Sequence, residues 1–245
     1  MNFSLEIGPK TDIDTLPELK DVYITFLPGG DHKETANQAG ELVKKGCNPI
    51  PHIPARSIEN DNHLKEYVDM CKDLGVKQCL VIGGSREPVG KFKSSIQLLE
   101  TGFFDGLKIG IAGHPEGSPD ISDSELEKAM KEKTPLADYI VTQWLLDPTV
   151  IANFISKQNL PVHVGITGPL KISSLLKFAS IVGAKNSINF LKSNTSKALD
   201  LLKPRDPSEL INSLKKVTEH FHIYTFGGLK ETNKWLVANN YAKEK

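Results

Sequence analysis

Residues 78–116 read QCLVIGGSREPVGKFKSSIQLLETGFFDGLKIGIAGHPE. Two apolar runs, Gln78–Ile82 and Lys108–Ala112, each close on glycine, at Gly83-Gly84 and at Gly113. An amphipathic stretch, Ser94–Thr101, lies between them. A short, nearly continuous apolar run is how a strand covered on both faces reads. Strand, helix, strand in this order is the repeating unit of a parallel sheet.

The same alternation extends in both directions. Strands are predicted at Phe3–Ile7, Val22–Leu27, Asn48–Ile53, Tyr139–Gln143, Pro161–Ile166 and Phe221–Phe226. Helices are predicted at Lys33–Lys45, Asp61–Leu74, Ser124–Lys133, Pro148–Gln158, Ile172–Val182 and Lys230–Asn239. Extra helical material, Asn186–Leu202 and Ser208–Glu219, stands between the last two strands. Eight strands in 245 residues fit one closed (βα)8 barrel of TIM type, with extra helices between strands seven and eight. An open doubly wound sheet is the runner-up. No stretch reads as a linker, so residues 1–245 are expected to form one domain.

Lys plus Arg and Asp plus Glu both number 30, so no basic excess marks a nucleic-acid partner. The three cysteines have no metal spacing, and their number is odd. That argues against a disulfide framework and for a reducing compartment. The start, MNFSLEIGPK, does not read as a secretory leader. No segment approaches the roughly 20 apolar residues of a membrane span. A cytoplasmic protein with no membrane partner is the expectation.

In such a barrel, chemistry collects where the strands end. Strand one ends with Glu6, and strand two delivers Thr25. Strand three delivers His52, and strand four ends in Gly83-Gly84-Ser85-Arg86. Strand five gives His114 and Glu116, and strand six gives Thr142, Gln143 and then Asp147. Polar groups and glycines on one face suit a flat, polar ligand that approaches the backbone. Leu5 and Ile7 point outward by strand alternation, which turns Glu6 inward. A buried, unpaired carboxyl has a raised pKa and can donate a proton near neutrality. His163, His220 and His222 read as structural, and His32 and His63 as solvent-facing. His52, His114, Glu116 and Asp147 could be combined into a metal site, but strand spacing does not demand one and none is expected. Dinucleotide, Walker, nucleophile-elbow and Cys-His signatures are absent.

The segments SLEIGPKT (4–11), VYITFLPGGD (22–31), NPIPHIPARS (48–57), LVIGGSREPVGKFKSSIQLLETG (80–102), IGIAGHPEGSPD (109–120), ADYIVTQWLLD (137–147) and LLKFA (175–179) follow one another along the chain. In that order they resemble the methylenetetrahydrofolate reductases, most closely the short bacterial members that consist of a catalytic domain alone. The resemblance implies a (βα)8 barrel holding FAD. It implies reduction of methylenetetrahydrofolate to methyltetrahydrofolate with NADH or NADPH, in one-carbon metabolism. Glu6 would protonate folate N10. Gln143 and Phe178 would contact substrate. Thr25, His52, Gly84, Ser85, Arg86 and His114 would line the flavin, with Glu125 and Lys133 near its ribose and phosphates. The chain departs from the family pattern at Ser85, where an aspartate is usual, at Ser118, where a histidine is common, and at Gly227-Gly228, where Asn-Arg is frequent. Those departures keep two alternatives open: a flavin-free reductase, and a non-catalytic barrel that binds folate or flavin. A homo-oligomeric state is left open as well.

Overall fold

The computed structural model describes residues 1–119, 121–182, 187–189 and 204–243. The strands of the barrel are β1 (Asn2–Ile7), β2 (Asp21–Ile24), β3 (Asn48–Pro54), β4 (Gln78–Ile82), β5 (Lys108–Gly113), β6 (Tyr139–Trp144), β7 (Val162–Thr167) and β10 (His220–Tyr224). They pair in parallel in the closed order β1-β10-β7-β6-β5-β4-β3-β2. The two-residue strands β8 (Leu170–Lys171) and β9 (Pro204–Arg205) form a small antiparallel pair outside the barrel. The helices are α1 (His32–Lys44), α2 (Asp61–Asp73), α3 (Ser95–Leu99), α4 (Asp123–Lys133), α5 (Pro148–Ile155), α6 (Ile172–Val182), α7 (Ser208–Leu214) and α8 (Leu229–Ala238).

The closed barrel was legible from the alternation. Element ends shifted by a few residues, for local reasons. The strand predicted to reach Leu27 stops at Ile24, and Leu27 is exposed. The helix predicted over Ser208–Glu219 ends at Leu214, and the Thr218 hydroxyl donates to the Val162 carbonyl, tying the chain to β7 before β10 begins. The helices predicted over Asn186–Leu202 lie outside the described residues, apart from a helical turn at 187–189.

Strand alternation sorts the side chains into two cores. Outward residues such as Leu5, Val22, Ile53, Val81, Ile111, Val164 and Ile223 pack against Ala36, Leu64, Val68, Ile211 and Leu236 of the helices. Inward, Ile50, Leu80 and Val141 meet Tyr23 and Tyr139. Interiors of such barrels are usually filled by branched aliphatic residues. Here the aliphatic filling is confined to one side. The β1, β2, β7 and β10 side carries Ser4, Glu6, Tyr23, His163, His220, His222 and Tyr224 instead. His163 stacks on Tyr139 and on His220, with ring centroids 4.5 and 4.6 Å apart. The Tyr23 hydroxyl lies 3.3 Å from His163 Nδ1.

His32 corrects a sequence expectation. It is buried rather than solvent-facing, 5.4 Å from the Tyr67 ring and 3.1 Å from His63 Nε2. It opens α1, whose first turn lies against α2, so its ring is covered on that side. Among the described residues, no helix is long and apolar enough to cross a membrane.

Candidate active site

Glu6 is the penultimate residue of β1, in register with Tyr224 of β10 and Tyr23 of β2. Its side chain is 15% exposed. Its Oε2 lies 3.5 Å from His52 Nε2 and 3.5 Å from His222 Nε2. Burial raises the Glu6 pKa, and the charge a protonated His52 would carry lowers it. Burial pushes His52 down to about 4, against the pull of Glu6, and His222 down to about 3. Both imidazoles are therefore neutral at pH 7, and the carboxyl is biased toward its protonated form. A spacing of 3.5 Å is too long for a strong hydrogen bond. Both Nε2 atoms are buried and lack a hydrogen-bond partner.

His222 is held from below, its Nδ1 3.1 Å from the Ser4 hydroxyl. Tyr224 stands edge-on to it at 4.6 Å and donates its hydroxyl to the Thr142 carbonyl at 2.9 Å. The aromatic surface continues outward. Phe226 lies stacked 5.7 Å from Tyr224 and 4.2 Å from Phe178 of α6, with Trp144 edge-on at 6.2 Å. Phe226 has φ +43°, a left-handed conformation that costs a bulky residue energy. That strain is where the chain leaves β10 and sets the ring against Phe178.

Gln143 turns inward near the end of β6, and its buried Oε1 has no hydrogen-bond partner. The pairing of β6 with β7 slips between Val141 and Trp144. Gly165 permits this close approach, because a Cβ there would sit 2.4 Å from the Thr142 carbonyl oxygen and 2.6 Å from that of Gln143. The Thr142 hydroxyl in turn accepts the Gly165 N–H at 2.8 Å. A buried amide oxygen without a donor is an unmet acceptor.

The structure gathers Glu6, His52 and Gln143 on the inward face of the barrel and Phe178 on its rim. Other predicted positions are placed differently. The Thr25 hydroxyl donates to the Ile7 carbonyl, joining two strand ends. Gly84 has φ +89° and closely approaches Pro54 and Arg56, so it serves the turn. Ser85 is exposed, and Arg86 Nη1 leans over Gly29. His114 and Lys133 line a separate cleft between α4 and α5, which Glu6 and His52 do not line. Glu125 is exposed and accepts both the N–H and the hydroxyl of Ser122, in the capping box that opens α4. The residues expected to hold FAD thus fall into two places, and Glu125 is engaged by its own helix cap. Asp147 and Glu116, weighed as metal ligands on paper, have other partners. Asp147 caps α5, and Glu116 accepts from the N–H and hydroxyl of Ser187.

His222, Tyr224 and Phe226 were not picked out as site residues. Their signal was present in HFHIYTF (220–226), where every second residue shares a face. What was missing was the register that puts His222 opposite Ser4, and so next to Glu6.

No family model matches the chain. Several solved structures are similar to it. A protein from Burkholderia cenocepacia J2315 assigned as a phosphonomutase aligns over 98% of this chain and 93% of its own, with TM-score 0.54 and 10% identity. An oxaloacetate acetylhydrolase aligns over 98% of this chain and 78% of its own, with TM-score 0.53 and 9% identity. A ligand-free tryptophan synthase from M. tuberculosis aligns over 97% and 92%, with TM-score 0.51 and 7% identity. The chain shares their barrel. Likeness at this identity concerns architecture alone. The placement among methylenetetrahydrofolate reductases is thereby overturned: no model of that family matches, and these neighbours are barrels with other names. The ordered glycine- and proline-rich segments that suggested it lie largely at strand ends, where many barrels place such residues.

Proposed function

We propose that this barrel is an acid–base enzyme for a flat, polar small molecule, with Glu6 as the proton donor. One observation carries the reading: a buried carboxyl stands between two neutral imidazole nitrogens at the strand ends, where barrels place their chemistry. Tyr224, Phe226 and Phe178 offer a surface on which a planar ring can stack. Gln143 Oε1 would accept an N–H at the ring's edge. His52 and His222, neutral and 3.5 Å away, place no cation beside Glu6 to draw off its proton before it is transferred.

A proton donor that acts at a substrate carbon exchanges that carbon's hydrogen with solvent even when the full reaction is stalled. The test is a panel of planar nitrogen heterocycles incubated with the protein in D2O and followed by mass spectrometry. Wild type is expected to put deuterium into at least one compound at a carbon that does not exchange unaided. Glu6→Gln should slow this by about 100-fold or more, the usual range for general acid–base catalysis. Equal exchange by both proteins would remove Glu6 from the chemistry.

A further inference from the structure

A cleft of about 930 Å³ opens between α4 and α5, apart from the Glu6 site. Its apolar wall is made by Leu126 and Met130 of α4 and Phe154 of α5. Lys133, the last residue of α4, lines it and is buried, which is rare for lysine. Its Nζ donates to the Ala112 carbonyl at 3.3 Å. Among the described residues no carboxylate pairs with it: Glu116, in the same wall, is engaged by Ser187. The other ionisable groups lining the cleft are His114, Asp123, Glu127, Lys131 and Lys157.

A lysine desolvated without a counter-charge loses its proton readily and becomes a nucleophile. Burial pulls the Lys133 amine down to about 8. The same burial, and then the charge of Lys133, pushes His114 down to about 4, so the neighbouring imidazole is neutral and adds no cation at pH 7.

We infer that the α4–α5 cleft is a second ligand site, in which Lys133 captures a small aldehyde or ketone as an imine. The neutral Nζ adds its lone pair to the carbonyl carbon, and the carbonyl oxygen takes up a proton. The resulting hydroxyl then leaves with a second proton as water, and nitrogen keeps the C=N bond. The two N–H protons of the amine balance those of the water, and nothing is oxidised or reduced. Met130 and Phe154 would pack on the ligand's apolar body. The inference is independent of the role of Glu6.

The test uses the intact protein and pyridoxal 5′-phosphate, a carbonyl compound bearing an anion, with borohydride to fix any imine. Modified residues are mapped by peptide mass spectrometry. At pH 7 an amine of pKa about 8 has roughly 200-fold more of its free base than an ordinary lysine at about 10.4. Label is therefore expected to concentrate on Lys133, to saturate with probe concentration, and to be half-maximal near pH 8. The α-amino group of Met1, mapped separately, should label in linear proportion to probe, as an amine without a pocket does. Lys133→Met should abolish the saturable label. Wild-type mapping decides the question even if that variant folds poorly. Label spread evenly over surface lysines, linear labelling of Lys133, or a half-maximum near pH 10 would each overturn the inference.

Discussion

Glycine at position 165 shows how one residue sets the site. A Cβ there would meet backbone carbonyl oxygens of β6 at 2.4 and 2.6 Å, and these cannot swing aside as a side chain would. Gly165→Ala must therefore push β6 and β7 apart where Thr142 and Gln143 are placed. The expected loss is about 3 kcal/mol, the upper range for overpacking a core. Urea unfolding would show it as a lower midpoint at unchanged slope. A midpoint within error of wild type would mean that the strand slip does not depend on this glycine. Glu6 illustrates the opposite case at this scale. Its inward direction was legible from Leu5 and Ile7 on either side, whereas its two histidine neighbours come from strands 46 and 216 positions away and leave no local mark.

At the scale of elements, the helix starts follow local rules. Asp31, Asn60, Ser122 and Asp147 each accept a backbone N–H at the start of a helix. Ser122 with Glu125 and Pro148 after Asp147 were readable as start signals. Asp147 accepts from Thr149 and Val150, so Asp147→Ala should cost about 1 kcal/mol. Chemical denaturation would register that loss, while any deuterium exchange assigned to Glu6 should stay at the wild-type rate. A collapse of exchange with stability intact would instead place Asp147 in the chemistry. Glu125 shows the limit of reading such a residue from a motif. Its carboxylate is held below its ordinary pKa by the Ser122 hydroxyl and N–H, a cap function that a ligand role would have to displace.

The whole molecule carries an unusual load of neutral histidine. Burial is the main cause that holds His52 and His114 at about 4, and His163 and His222 at about 3. An unfolded chain protonates histidine near 6.5. Between that value and the folded values the unfolded state binds more protons, so stability is full above pH 6.5 and falls as pH drops toward 4 and 3. Each histidine that withholds a proton weakens the fold by about 1.4 kcal/mol per pH unit in that window. Glu6 works in the other direction: with its pKa raised, its contribution is full below about 4.5 and is lost as pH rises through the folded value. Four histidines outweigh one carboxyl, so denaturation midpoints measured from pH 7 to 4 should fall steeply, starting near pH 6.5. A flat profile down to pH 5 would show that these rings are hydrated.

The sequence by itself determined the architecture. Alternation of period two and 3.6, glycine after strands such as β1, β4, β5 and β7, and capping residues before helices such as α1, α2, α4 and α5 are local properties, and together they leave little besides a closed parallel barrel. It also determined that Glu6 faces inward. It did not determine family or ligand, because glycine- and proline-rich strand ends recur in barrels of unrelated chemistry. Only the tertiary structure decided which groups surround the carboxyl, since register between strands distant in the chain sets those contacts. Only the tertiary structure separated Lys133 and His114 from Glu6, because residues that follow strands at a distance in the chain open into different clefts once the barrel closes and its helices pack outside.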